Sequence, residues 1–210
     1  MKRKNLIEIV CVIDKSGSMN SIKSDAIGGF NAFLEEQKDF QENALLTFVL
    51  FNDEYFLIHN GANLKDVQPL SNQTFKPSGM TALLDAVGKT IATIKGRHAE
   101  MNTEKRPGKV LMAILTDGEE NASEEYSRQQ IFDMIELQKE EGWEFLFLAA
   151  NQDAIKTAES IAIPSDRTID FEATDDGIQD AFVQMDETMV MDSSSYRDMV
   201  AKTNPHNDDT

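Results

Sequence analysis

A single cysteine among 210 residues, Cys11, has no partner in the chain with which to form a disulfide. Lying inside an apolar run, it reads as a small buried side chain with no chemical role. No apolar stretch reaches the roughly 20 residues that a membrane-crossing helix needs. The basic start, Met1-Lys2-Arg3-Lys4, leads into a short apolar segment broken by Glu8, with no small-residue cleavage site, unlike a secretory signal. Positive charge is scarce: 20 Lys and Arg face 37 Asp and Glu, a formal net charge of −17. Such a surface repels phosphate backbones and anionic lipid, which argues against nucleic acid and membranes as partners. The three histidines, His59, His98 and His206, fall at no metal-ligand spacing and read as surface residues. The 11 glycines form neither a phosphate-binding loop nor a GxSxG elbow. A soluble, cytoplasmic protein is the expectation.

What the chain does contain is an alternation of short apolar runs with segments of three- and four-residue periodicity. Strands are predicted over 7–13, 44–51, 110–115 and 143–149, with 55–59 returning as an antiparallel hairpin strand and 168–171 as a short edge strand. Helices are predicted over 20–38, 80–94, 127–141, 153–162 and 176–191. Gly28 and Gly29 interrupt the first helix and read as a place of close approach to the sheet. The fold class that follows is α/β: a doubly wound, mostly parallel central sheet with helices on both faces and one antiparallel strand. Residues 1–203 form a single domain in this reading, and 204–210 a disordered tail.

Three polar segments stand at predicted element ends. Asp14-Lys15-Ser16-Gly17-Ser18 follows the first strand. Alternate side chains of an extended segment point the same way, so Asp14, Ser16 and Ser18 converge if the segment stays extended, with Gly17 easing a turn. Thr81 precedes the second long helix, and Thr116-Asp117-Gly118 ends a later strand. In a doubly wound sheet, ligands sit beyond the carboxyl ends of the strands at the topological switch point. Two carboxylates and three hydroxyls form an oxygen-only set that suits Mg²⁺, with Mn²⁺ or Ca²⁺ as alternatives.

The D-x-S-x-S run, the separate threonine and the strand-end T-D-G together resemble the metal-ion-dependent adhesion site of the von Willebrand factor A family. The likeness in order and spacing of elements runs over about residues 6–191, and is to the compact, stand-alone prokaryotic and phage members. It implies hydroxyl ligands at Ser16, Ser18 and Thr81, with Thr81 engaging or letting go with state. It implies carboxylates at Asp14 and Asp117, and a coordination position left for an Asp or Glu of a protein partner. A binding adaptor rather than an enzyme is implied, in some relatives within an assembly that contains an ATPase. Glu119 and Glu120, beside the site, are expected to select a partner with basic residues around its acidic anchor.

Plainer readings stand beside these. Residues 14–18 could cap the following helix, Thr81 could be a helix N-cap, and Asp117-Gly118 a simple turn. Asp25, Asp53 and Asp85 read as solvated or capping residues, and Arg97, Lys105, Arg106 and Lys109 as a solvated loop at the opposite end of the sheet. A metal-dependent phosphoester hydrolase is the alternative activity, but the segments offer no placed general base and no second carboxylate cluster. A scaffold that makes no use of a metal is the third reading.

Overall fold

Side-chain alternation along the first strand, β1 (Arg3–Asp14), sends Ile7, Ile9, Cys11 and Ile13 to one face of the sheet and Val10 and Val12 to the other. Both faces are therefore apolar, and both must be covered. The computed structural model of the chain describes residues 3–41, 43–150 and 152–203. On the first face, α1 (Lys23–Phe40) and α5 (Asp175–Thr203) pack through Phe30, Phe33, Ile178 and Phe182. On the second, α2 (Leu83–Glu100), α3 (Arg128–Glu140) and α4 (Gln152–Ser160) contribute Leu83, Val87, Ile91, Ile131, Ile135 and Ala158.

The remaining strands are β2 (Ala44–Phe51), β3 (Tyr55–Asn63), β4 (Pro107–Thr116), β5 (Trp143–Ala149) and β6 (Thr168–Asp170). They lie in the order β3-β2-β1-β4-β5-β6, with β2–β3 the antiparallel pair among parallel neighbours. The predicted class is thus the observed one. Chain order reverses between β1 and β4, which places the switch point where Asp14 and Thr116 end their strands.

Several local expectations are corrected. Residues 17–22 form a 3₁₀ turn ahead of α1, because Met19 and Ile22 must reach the core. A Cβ on Gly29 would lie 2.3 Å from Phe182 Cδ2, so this glycine admits α5 rather than the sheet, and Gly28 has open space around it. The last helix continues past residue 191 to Thr203 despite its polar composition. Its polar groups are matched: Ser193 accepts from Gln41 Nε2 at 3.1 Å, Arg167 Nη1 donates to Asp192 at 2.7 Å, and Arg197 reaches the Gln41 side-chain oxygen.

Neither His98 nor Arg97 is a free surface group. Both lie on α2, within reach of Glu8, a fully buried carboxylate in the middle of β1. His98 Nε2 lies 2.7 Å from Glu8 Oε2, Thr47 Oγ1 donates to Oε1 at 2.6 Å, and the Arg97 guanidinium pairs with the same carboxylate. Burial pushes the Glu8 carboxyl up, yet His98, Arg97 and Thr47 together hold it below its ordinary value. The 204–210 tail and His206 lie outside the described residues. No described helix is long and apolar enough to cross a membrane.

Candidate functional site

The parallel pairing of β1 with β4 sets Asp14 beside the end of the neighbouring strand. Thr116 Oγ1 donates to Asp14 Oδ2, and the Ser16 N–H donates to Asp14 Oδ1, both at 2.6 Å. Asp14 is fully buried, and no Lys or Arg among the described residues pairs with it. Burial, opposed by the bonds from Thr116 and Ser16 and reinforced by Asp117, pushes its carboxyl up to about 6. Asp117 is raised as well, again by burial, against hydrogen bonds from Ser18 and its own backbone.

The two serines meet these carboxylates, though not by extension. Ser16 has extended backbone angles, but the chain turns into the 3₁₀ helix at Gly17, and the Met19 N–H bonds back to the Ser16 carbonyl at 3.2 Å. The turn still leaves the Ser16 and Ser18 hydroxyls 3.1 Å apart, and Ser18 Oγ donates to Asp117 Oδ1 at 2.7 Å. Ser16 occupies the N-cap position without making a side-chain cap bond. Its hydroxyl is turned toward the site, against the capping reading.

Thr81 completes the group. It is buried, just ahead of α2, and does not serve as that helix's N-cap, which is Ala82. Its hydroxyl makes no hydrogen bond among the described residues, whereas its backbone N–H and C=O are both engaged by Asn121. Gly118 marks where the oxygens approach one another. A Cβ there would lie 2.8 Å from Thr81 Oγ1, 3.5 Å from Asp14 Oδ2 and 3.6 Å from Ser16 Oγ. A side chain at 118 would crowd the hollow these groups surround, and glycine keeps it open. All five residues singled out in the sequence therefore come together: Asp14, Ser16, Ser18, Thr81 and Asp117.

The segment carrying Thr81 is seated on the end of β2. Asn52 Nδ2 donates to the Ser78 carbonyl, and the Ala82 N–H to the Asn52 carbonyl, each at 2.8 Å. Gly79 takes φ 78°, in the left-handed region, where a Cβ would also strike Asp53 Oδ1 at 1.9 Å. Asp53, exposed in the turn between β2 and β3, also braces this segment, for its Oδ1 accepts from the Met80 N–H at 3.2 Å.

Glu120 departs from its expected role. Its carboxylate accepts from the N–H groups of Leu84, Ala122 and Ser123 and from the Ser123 hydroxyl, at 2.7–3.1 Å. It caps α2 from across the site, and only Glu119 of the pair is exposed. Asp85 is buried and accepts from the N–H groups of Glu124, Glu125 and Tyr126 at 2.9–3.0 Å. Thr116, Asn52, Asn121 and Asp85 shape the site without having been singled out for it. Thr116 stands inside the T-D-G segment itself, adjacency to that segment is the available signal for Asn121, Asp85 reads in the sequence only as a solvated or capping residue, and nothing local marks Asn52.

No three His, Cys, Asp or Glu side chains among the described residues are grouped as metal ligands. Any cation here would rest on two carboxylates supplemented by hydroxyls, a donor set that fits a hard divalent ion. On the Glu119 side lies an open depression of about 500 Å³, lined by Glu119, Glu120, Arg128, Lys156, Thr157 and Ser160.

No protein-family model matches the chain, and no curated protein matches it in sequence. Solved structures do match in fold. One is the von Willebrand factor domain of the type V pili tip protein Mfa5 from Porphyromonas gingivalis, with TM-score 0.66 and 10% identity over 88% of this chain and 95% of that one. A mutant of the PilB minor pilin from Streptococcus sanguinis matches with TM-score 0.64 and 12% identity over 90% of this chain. Proximal thread matrix protein 1 from the mussel byssus matches with TM-score 0.64 and 15% identity, also over 90%. This chain spans 62% of the PilB structure and 47% of the byssus protein. The fold is von Willebrand factor A-like.

Proposed function

We propose that the chain is a protein-binding module whose strand-end hollow holds Mg²⁺ and, through it, an acidic residue of a partner protein. The observation that carries this reading is Asp14: a fully buried carboxylate with no cationic partner among the described residues, facing hydroxyls in a hollow that glycine keeps open. A buried charge without a counter-charge is costly, and proteins keep one where a ligand or function compensates. A divalent cation bound there supplies the missing positive charge and an electrophilic point for a partner's Asp or Glu.

The chain's own groups divide the work. Asp14 and Asp117 offset the cation's charge, while Ser16, Ser18 and Thr81 offer neutral oxygens that leave part of that charge for an incoming anion. Thr116 and the Ser16 N–H orient Asp14, as outer hydrogen bonds commonly do for metal ligands. Ser18 and Met80 are exposed, so a partner can approach from their side. The von Willebrand factor A-like fold, often used for protein interactions, supports the same reading.

Affinity capture from the native host tests it. Partners retained by the wild type in Mg²⁺ should be lost with EDTA and equally lost with Asp14→Ala. A partner set indifferent to both treatments contradicts the proposal. Magnesium-dependent turnover of generic phosphoesters that disappears in Asp14→Ala would favour a hydrolase instead.

A further inference from the structure

We infer that Asn121 is a positioning residue for Thr81, holding its hydroxyl toward the hollow before any ion arrives. The inference rests on the metal reading above. The Thr81 N–H donates to Asn121 Oδ1 at 3.0 Å, and the Asn121 N–H donates to the Thr81 carbonyl at 3.0 Å. One residue thus grips both backbone groups of another, which fixes the direction of the Thr81 Cα–Cβ bond. Threonine is branched at Cβ, so few rotamers remain once the backbone is fixed. The Thr81 hydroxyl needs this external restraint because it makes no hydrogen bond of its own among the described residues.

Asn121 is itself held in place. On its amino side, Glu120 is bonded to the start of α2 through the Leu84 N–H at 2.9 Å. On its carboxyl side, the Ser123 hydroxyl accepts from the Asp85 N–H at 3.1 Å, and Asp85 takes the next three N–H groups of the loop. The Tyr126 ring then lies over Gly88, where a Cβ would be 2.7 Å from the ring. The loop after β4 and the opening turns of α2 form one hydrogen-bonded unit. Asp117 belongs to that loop and Thr81 immediately precedes that helix, so the two cannot separate without breaking it.

Two readouts on the full chain test the role. In EDTA, the Thr81 amide should be protected from hydrogen exchange in the wild type and exchange at least about tenfold faster in Asn121→Ala. Calorimetric Mg²⁺ affinity should fall about 10–100-fold in Asn121→Ala, the range typical of lost outer-shell support. Asn121→Asp keeps the acceptor and should restore the amide protection and at least wild-type-like affinity. Asn121 is exposed, so these changes leave the core untouched. Wild-type Mg²⁺ affinity in Asn121→Ala overturns the inference, as does free exchange of the Thr81 amide in the wild type. A wild-type protein with a protected Thr81 amide that binds no Mg²⁺ contradicts the metal reading, and with it the role given to Asn121.

Discussion

Asp85 and Glu120 cap each other's elements. Asp85, on α2, satisfies three N–H groups of the loop after β4, and Glu120, on that loop, satisfies the Leu84 N–H at the start of α2. Each carboxylate answers donors that the other's element leaves unpaired, so neither segment is complete alone.

Asp85→Ala should therefore destabilise the chain by about 3 kcal/mol or more, since hydrogen bonds to a charged acceptor are worth about 1.5–3 kcal/mol each and are not additive. Urea unfolding should show a lower midpoint with an unchanged slope. Asp85→Asn keeps one acceptor oxygen and should lose less. Equal losses in the two variants would mean that the bonds contribute little.

Asp14 should behave in the opposite sense. Its carboxyl titrates near 6 in the fold against an ordinary 3.8, so the folded state disfavours its charge. That penalty appears as pH rises above 3.8 and is complete above about 6. In EDTA at pH 7.5, Asp14→Asn should thus be more stable than the wild type, by up to about 3 kcal/mol at 1.36 kcal/mol per pK unit. Thermal melts check this, and the same substitution should abolish any gain from added Mg²⁺.

A second buried carboxylate, in the middle of β1, carries the opposite sign. Glu8 is held below its ordinary 4.5 by His98, Arg97 and Thr47 against the effect of burial. A depressed carboxyl contributes stability that is present above 4.5 and is lost as pH falls through the folded value. Between pH 5 and pH 3 the wild type should lose more stability than Glu8→Gln, although Glu8→Gln starts lower because it strands Arg97. Parallel stability curves for the two proteins would contradict this assignment.

The paired glycines of α1 should separate under one substitution. Gly28→Ala meets open space and should stabilise the helix by about 1 kcal/mol, whereas Gly29→Ala drives a methyl into Phe182 and should cost about 1–3 kcal/mol. Chemical denaturation of the two variants gives the comparison directly.

How far the sequence was legible depends on the range of each interaction. The strands could be read because β1 and its neighbours carry continuous apolar runs buried on both faces. The five oxygen-bearing residues were legible because each stands at a strand or helix end, a position that the order of elements marks. Glu8 was visible as an acid in an apolar run, but its partners Thr47, Arg97 and His98 lie 39, 89 and 90 residues away and carry no local mark. Glu120 looked like a free surface acid because its acceptor role depends on α2, 36 residues earlier in the chain. The length of α5 was hidden because Arg167 and Gln41, which satisfy its polar groups, belong to other elements.

The most direct test of the central claim is a Mg²⁺ titration followed by ¹H–¹⁵N amide shifts, since on so acidic a chain the place of binding matters more than binding itself. Saturable one-to-one shifts should be confined to Ser16, Gly17, Ser18, Thr81, Asp117, Gly118 and their immediate neighbours, and be absent in Asp117→Ala. Shifts scattered over the acidic surface, or none at millimolar Mg²⁺, would contradict it.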